Sequence, residues 1–226
     1  MFDKPHQENL SKDLDSLLNA VKTSAQVHFE NARGSHAWDH TLRVYQLCKH
    51  IGTVEDAEMD VLLSSAYLHD IGRCYQDAVN GAICHAEKGA ELALPILHRL
   101  PLKNVQRDNI LHCIRSHRFR GNHKPQSLEA KILFDADKID SIGAIGVARA
   151  FLFAGEVGAR LHNPEVDIED TASYSVDDTG YREYQIKLIK VRDRVMTAEG
   201  KRLADERHTY MVDFFDRFLK EYEGEK

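Results

Sequence analysis

Apolar residues recur every three or four positions along most of this chain, which is the spacing of one face of an α-helix. The first such face holds Leu14, Leu17, Leu18 and Val21. The same spacing predicts helices over about 38–51, 57–71, 105–117, 128–137 and 201–222, and one that begins near residue 85 and kinks or ends at Pro95. No run of alternating β-branched residues is flanked by hairpin turns. The sequence therefore predicts an all-α helical bundle.

The organisation of the chain is that of one domain. With 226 residues, 42% of them hydrophobic, it is long enough to bury one sizeable core, and no linker divides it. The segment 163–180 holds six acidic residues and is expected to be a solvated loop. Helices over 181–226 are expected to pack on a core at about 36–153. We therefore expect a single domain over 1–226.

The charge of the chain limits its partners. It has 36 acidic and 30 basic residues, which give a net charge of −6 with histidine neutral. It lacks the basic field with which proteins bind the outside of a nucleic-acid duplex, so duplex binding is disfavoured. The most apolar stretch, 144–155, carries Arg149 and is too short to cross a bilayer. A small anionic partner in a local basic pocket remains open.

The cysteines indicate a reducing compartment. Cys48, Cys74, Cys84 and Cys113 form no Cys-x-x-Cys pair, and the first ten residues are polar and charged, unlike a signal peptide. We expect reduced thiols in a cytoplasmic protein. The aromatic stripe of the final predicted helix, which includes Phe214, Phe215 and Phe218, is expected to be core or a subunit interface, and it permits a homodimer.

Imidazoles and carboxylates stand at the ends of several predicted helices. His69 and Asp70 end an apolar helix, where they are costly to bury unless paired or bound to a metal. The alternative is a solvated helix end, which suits a histidine but not an aspartate. His40 alone is compatible with an ordinary helix residue, and Asp137 alone with a cap. Two imidazoles with two carboxylates form a mixed ligand set that suits transition metals better than Ca²⁺.

Taken together, these residues form a known pattern. The order of a histidine, a His-Asp pair and a distant aspartate in the context Ala-Asp-Lys-Ile-Asp resembles the HD-domain superfamily of metal-dependent phosphohydrolases. Four segments bring the chain closer to small bacterial HD proteins that include nucleotide pyrophosphohydrolases: 36–40, 85–90, 135–146 and 201–208. The resemblance implies an HD-type helical fold.

The resemblance also implies a site. In it, His40, His69, Asp70 and Asp137 hold one divalent metal, and Asp70 and Asp137 take part in catalysis by activating a metal-bound water. Manganese is the favoured metal, with iron, cobalt, nickel, zinc and magnesium as alternatives. The implied reaction is hydrolysis of a phosphoester or phosphoanhydride bond.

Three residues beside the implied ligands are candidates for substrate binding. Arg73 and Lys138 adjoin ligands in sequence and are placed to hold phosphate, although a surface ion pair explains either of them equally well. His36 lies one helical turn before His40 and is a candidate to contact substrate or orient a ligand.

Four more candidates lie further along the chain. His85 and Glu87 stand at the start of a predicted helix, where backbone N–H groups favour anions. His117 and Arg118 belong to a basic cluster that is either a solvated loop or an attractor for phosphates. Because some HD proteins bind a second metal through two further histidines, His85 and His117 are also candidates for that role.

Several functions fit this site. The favoured one is conversion of a nucleoside triphosphate to a monophosphate and pyrophosphate, which makes a nucleotide the expected partner. A nucleoside monophosphatase and a cyclic-nucleotide phosphodiesterase are the enzymatic alternatives. An HD module that senses a ligand without catalysis is the non-enzymatic one, and it is disfavoured because all four implied ligands are present.

Overall fold

Helices make up the regular secondary structure of this protein. The computed structural model describes residues 4–30, 38–79, 82–118 and 123–225, and every regular element in these ranges is helical. The α-helices are α1 (Lys4–Gln26), α2 (Trp38–Val54), α3 (Met59–Leu68), α4 (Arg73–Ala78), α5 (His85–His98), α6 (Asn104–Ser116), α7 (Leu128–Ile139), α8 (Gly143–Glu156), α9 (Gly180–Ile186) and α10 (Ala198–Tyr222). Short 3₁₀ helices cover Val27–Phe29, Ile168–Asp170, Leu188–Lys190 and Arg192–Arg194. The all-α prediction is confirmed.

Several helix ends differ from the sequence-based expectation by up to three residues, and two of these differences are informative. The helix predicted over 57–71 ends at Leu68, and a separate short helix, α4, follows Gly72. The helix that begins at His85 continues past Pro95 to His98. Pro95 lies in the last two turns of α5, where the lack of its N–H removes one hydrogen bond without ending the helix.

The chain divides into two compact units, Met1–Ala136 and Asp137–Lys226, and the boundary between them lies inside α7. The single domain over 1–226 stays a prediction. None of the helices in the described ranges combines the length and the apolar character needed to span a membrane. The four cysteines form no disulfide among the described residues.

The first unit is built around α3. All residues from Val61 to Leu68 are buried, and α3 packs against α1, α2 and α6. A helix that is apolar on all sides belongs in the centre of a core. Since α3 is central, the two residues that follow it, His69 and Asp70, are also buried.

Two glycines allow the end of α3 to meet the start of α5. A Cβ atom at Gly72 would lie 2.3 Å from the carbonyl oxygen of His85 and 2.6 Å from the backbone nitrogen of Gly89. A Cβ atom at Gly89 would lie 3.5 Å from the carbonyl oxygen of His69. The backbones of the two segments therefore approach more closely than any larger residue at position 72 permits, and this brings His85 beside Asp70.

The second unit holds the aromatic residues of α10. Phe215 is buried and stacks on Tyr184 of α9, with ring centroids 4.2 Å apart. The acidic segment 163–180 is held by Arg182, whose guanidinium donates to Asp178 at 2.6 Å and to the carbonyl of Thr171 at 3.1 Å. Both members of the Arg182–Asp178 ion pair are buried. The end of this segment is therefore tied to α9.

Candidate metal centre

The end of α3 presents an imidazole in a defined tautomer. His69 is the C-cap residue, and its Nδ1 is 2.8 Å from the carbonyl oxygen of Ala66, one turn back in the same helix. A carbonyl oxygen only accepts, so Nδ1 carries the proton and donates it. In the neutral ring, Nε2 then carries the lone pair. A histidine oriented in this way by its second nitrogen is typical of a metal ligand.

The end of α6 repeats this arrangement. His117 is the C-cap residue of α6, and its Nδ1 donates to the carbonyl of Ile114 at 2.6 Å. Its Nε2 therefore also carries a lone pair in the neutral ring. Both His69 and His117 are almost fully buried, and their rings meet edge to face with centroids 5.1 Å apart. Helices α3 and α6 thus deliver two imidazoles to one place.

His85, the first residue of α5, is oriented by a side chain. Gln76 lies on α4, and its Oε1 is 2.7 Å from Nη1 of Arg118 and 2.9 Å from Nδ1 of His85. Arginine can only donate, so the amide atom that faces it must be the oxygen, and that oxygen in turn requires a proton on Nδ1 of His85. Burial lowers the pKa of His85 to about 2, so the ring is neutral and its Nε2 carries a lone pair.

Asp70 lies among these imidazoles with 1% of its surface exposed. The Nε2 atoms of His40 and His69 are each 3.9 Å from its Oδ2, and those of His85 and His117 are 3.3 and 3.7 Å from its Oδ1. Oδ1 accepts no hydrogen bond among the described residues. A buried carboxylate oxygen without a donor is costly, because it has lost its water and gained no partner.

Asp70 is nevertheless ionised. Burial opposes ionisation, but the positive charge of Arg73 acts in the opposite direction, and the pKa of Asp70 lies well below its usual value. The guanidinium of Arg73 is 3.4 Å from Oδ2. Asp70 therefore supplies a negative charge at the centre of the cluster.

The donor set fits a divalent cation. The ligand atoms of Asp70, His85 and His117 all lie within 4.8 Å of one another, and so do those of His40 and His69. The Nε2 atoms of His85 and His117 are only 3.1 Å apart, although both carry lone pairs. Lone pairs that face each other and a carboxylate repel unless a cation lies between them, and imidazole nitrogen with carboxylate oxygen suits a transition metal.

The other residues predicted for the site lie in different parts of the chain, and they differ in burial and in their partners. His40 is buried in the first turn of α2. Asp137 lies near the end of α7 as the first residue of the second unit, and Lys138 donates to its carboxylate at 2.7 Å. The Glu87 carboxylate pairs with His123 at 3.0 Å and with Arg115 at 3.5 Å, which makes an ion pair on the surface. His36 lies outside the described residues.

The sequence did not indicate Gln76. A glutamine on a short polar helix has no distinctive signal, and its position one turn after Arg73 becomes meaningful only when α4 is known to pack on α5. The sequence did indicate His117, as a candidate for binding phosphate or a second metal, although its basic neighbours are also compatible with a solvated loop.

Comparison with known proteins agrees with the resemblance to HD-domain proteins that the sequence motifs indicated. A model of the HD domain family matches residues 37–142, a range that contains His40, His69, Asp70 and Asp137. The uncharacterized protein YpgQ of Bacillus subtilis strain 168 is 28% identical over 220 residues, which cover 90% of this chain and 93% of YpgQ.

Two solved structures have the same fold. The crystal structure of an HD-superfamily hydrolase from Bacillus thuringiensis matches with a TM-score of 0.73 at 25% identity, covering 93% of this chain and 98% of that one. The crystal structure of Bacillus subtilis YpgQ in complex with ADP matches with a TM-score of 0.68 at 25% identity, covering 92% of this chain and 96% of that one. The expected HD-type fold is confirmed.

Proposed function

We propose that this chain, whose residues 37–142 match the HD domain family, is a metal-dependent phosphohydrolase that converts a nucleoside triphosphate to a monophosphate and pyrophosphate. The observation that supports this most strongly is the buried, ionised Asp70 among imidazoles whose Nε2 atoms carry lone pairs. Such a cluster has little use in a purely structural core, where a carboxylate without a donor destabilises the fold.

The proposed ligands are His40, His69, Asp70 and Asp137. His40 and His69 lie on the Oδ2 side of Asp70 at equal distances, and Asp137 is proposed from its place in the family pattern. When bound, a divalent cation supplies Lewis acidity toward a phosphoryl oxygen and lowers the pKa of a water molecule. Manganese is the proposed metal, because neutral imidazoles and carboxylates suit it and it leaves positions for water and substrate.

The chain's own residues have two tasks in this proposal. Asp70 holds negative charge at the centre of the cluster, where its pKa lies well below its usual value, and Asp137 is proposed from the family pattern as a second carboxylate. Arg73 and Arg118 supply positive charge next to this centre, where they are placed to bind the phosphate oxygens of a substrate and to balance the charge that develops on them. Burial of the imidazoles keeps bulk water away from the acid–base groups.

A nucleotide is the proposed substrate class. The support is the ADP bound to YpgQ, which is a quarter identical to this chain over most of its length, together with two guanidinium groups near the centre. Cytoplasmic location and a homodimer stay predictions.

A second candidate has two cations that share Asp70. It is favoured by the 3.1 Å separation of the Nε2 atoms of His85 and His117 beside Oδ1 of Asp70. In this arrangement His40, His69 and Asp70 would hold one ion, and Asp70, His85 and His117 would hold a second. The number of manganese ions bound per chain distinguishes the two candidates.

The test uses protein purified without chelator. It is incubated with nucleoside triphosphates, nucleoside monophosphates and cyclic nucleotides in the presence of manganese, with pyrophosphate and inorganic phosphate measured separately. We expect pyrophosphate from triphosphates, its loss on treatment with a chelator and its return on adding manganese. Phosphate released from monophosphates, or opening of a cyclic nucleotide, would replace the proposed reaction. Nucleotide binding without turnover for every metal would identify a sensor instead.

A further inference from the structure

We propose that Gln76 is a positioning residue that keeps His85 from donating a hydrogen bond to Asp70, and so keeps Asp70 available to the metal. This inference rests on the proposed function only in giving Asp70 a cation to bind. Its structural part, a tautomer of His85 set by Gln76, is measurable without metal or substrate.

The need for such a residue follows from where His85 stands. His69 and His117 end their helices, so each donates through Nδ1 to a carbonyl one turn back in its own helix. His85 begins α5, so no preceding turn of that helix offers it a carbonyl. Its acceptor must come from another element, and Gln76 of α4 provides it at 2.9 Å.

Without this acceptor the other tautomer is favoured. The Nε2 atom of His85 is 3.3 Å from Oδ1 of Asp70, and that oxygen accepts no hydrogen bond among the described residues. A proton on Nε2 would have two acceptors, Nε2 of His117 at 3.1 Å and the Asp70 carboxylate, and the hydrogen bond to the carboxylate would be charge-assisted. The fold would then satisfy Oδ1 internally, and a cation that approaches Asp70 from the side of His85 would have to break this bond before it could bind.

Arg118 holds the side-chain amide of Gln76 in the orientation that accepts a hydrogen bond from His85. Its guanidinium donates to the same oxygen of Gln76 at 2.7 Å, so the amide cannot rotate to present its nitrogen without placing two sets of donors face to face. The two lone pairs of Oε1 are then used by His85 and Arg118. Gln76 thereby links the tautomer beside Asp70 to the position of an arginine proposed to bind phosphate.

The experiment compares Gln76→Leu with Gln46→Leu, a control on the exposed surface of α2. Nitrogen NMR of the chelator-treated proteins at one neutral pH reports which imidazole nitrogen of His85 is protonated. We expect the proton on Nδ1 in the parent and the control, and on Nε2 in Gln76→Leu. Manganese affinity, measured by calorimetry, is expected to fall about 10- to 100-fold in Gln76→Leu alone.

A double variant separates positioning from general damage. If Gln76 acts through His85, then Gln76→Leu should cost no manganese affinity in a His85→Ala background, because no imidazole is left to donate to Asp70. The proposal is overturned if Gln76→Leu leaves the proton on Nδ1, or if it weakens manganese binding equally in both backgrounds. Because the NMR readout needs neither turnover nor metal, failure of the proposed reaction leaves this test intact.

Discussion

The ends of α3 and α6 are built alike and differ in the residue that follows. Each helix ends at a buried histidine that donates through Nδ1 to the carbonyl three residues back. After His69 comes the buried, ionised Asp70, and after His117 comes Arg118, which is partly exposed. In both helices this hydrogen bond leaves the lone pair of the imidazole on Nε2. The charge of the next residue determines whether the helix end attracts a cation or an anion.

This difference assigns complementary tasks to the two ends. Asp70 has 1% of its surface exposed and is surrounded by ring nitrogens, so its charge acts on whatever lies within the cluster. Arg118 reaches Gln76 from the edge of the same cluster. A substrate that carries phosphate next to a cation would satisfy both ends at once.

The largest expected effect comes from removing the charged residue of each end. Asp70→Ala should abolish manganese binding and reduce turnover by about three orders of magnitude or more, because the buried charge at the centre of the cluster is lost. Arg118→Gln should lose far less manganese affinity than Asp70→Ala and raise KM about tenfold, which is about 1.4 kcal/mol of substrate binding. Calorimetry and steady-state kinetics measure the two effects.

Asp108→Asn, an exposed position on α6, is the matched control and should change neither quantity. Manganese bound with parental affinity by Asp70→Ala would show that Asp70 is not a ligand. The contrast between the two ends would also be lost if Arg118→Gln released the metal.

The next effect compares the two histidines. His69→Gln should weaken manganese binding by at least about 100-fold, because a proposed ligand is lost, whereas His117→Gln should weaken it about tenfold. The number of ions bound per chain is measured at the same time by elemental analysis. A fall from two ions to one in His117→Gln would establish the two-cation candidate and make the two helix ends equivalent.

A third prediction concerns the contact that brings α5 to the end of α3. Gly72→Ala places a Cβ 2.3 Å from the carbonyl oxygen of His85, and backbone cannot yield as a flexible side chain can, so we expect a loss of about 3 kcal/mol in the free energy of unfolding. Gly155→Ala, an exposed position of α8 with nothing near its Cβ, should instead gain about 0.5–1 kcal/mol. Urea unfolding measures the free energy of unfolding of both variants. Equal changes in the two variants would show that the close approach of Gly72 to His85 does not contribute to stability.

The site residues at the end of α3 could largely be predicted from the sequence, whereas the arrangement at the end of α6 could not. His69 and Asp70 were predicted because a charged pair that closes an apolar helix calls for an explanation, and the helix ends were predicted to within a few residues. The pairing of α3 with α6 is a long-range contact, and no local pattern encodes it, so the sequence indicates His117 as a candidate without placing it beside Asp70. Gln76 acts across three elements, α4, α5 and α6, and this could be recognised only in the folded chain.

Gly72 shows the same limit on a smaller scale. Its sequence position predicts the end of a helix, whereas α3 ends at Leu68 and Gly72 directly precedes α4. Its close approach to His85 and Gly89 depends on how α5 crosses the chain, which local propensity does not contain. Spacing along the chain thus predicted which elements form, while the identity of a site residue depended on which elements meet.

The smallest expected effect is a pH dependence that belongs to His85. Its pKa is lowered by burial from 6.5 to about 2, so below pH 6.5 the unfolded chain takes up a proton that the folded chain does not. Stability is therefore full above pH 6.5 and falls as the pH falls, by about 1–2 kcal/mol between pH 7 and pH 5. Asp70, whose pKa is also lowered, acts in the same direction but below the usual carboxyl range, outside this window.

In His85→Asn the amide nitrogen can still donate to Gln76 but does not titrate, so the stability of this variant should fall less over the window by that amount. Urea unfolding of both proteins with chelator present measures the difference, and parallel curves would mean that His85 is protonated in the folded chain, which would also put a proton between the two helix ends in place of a cation.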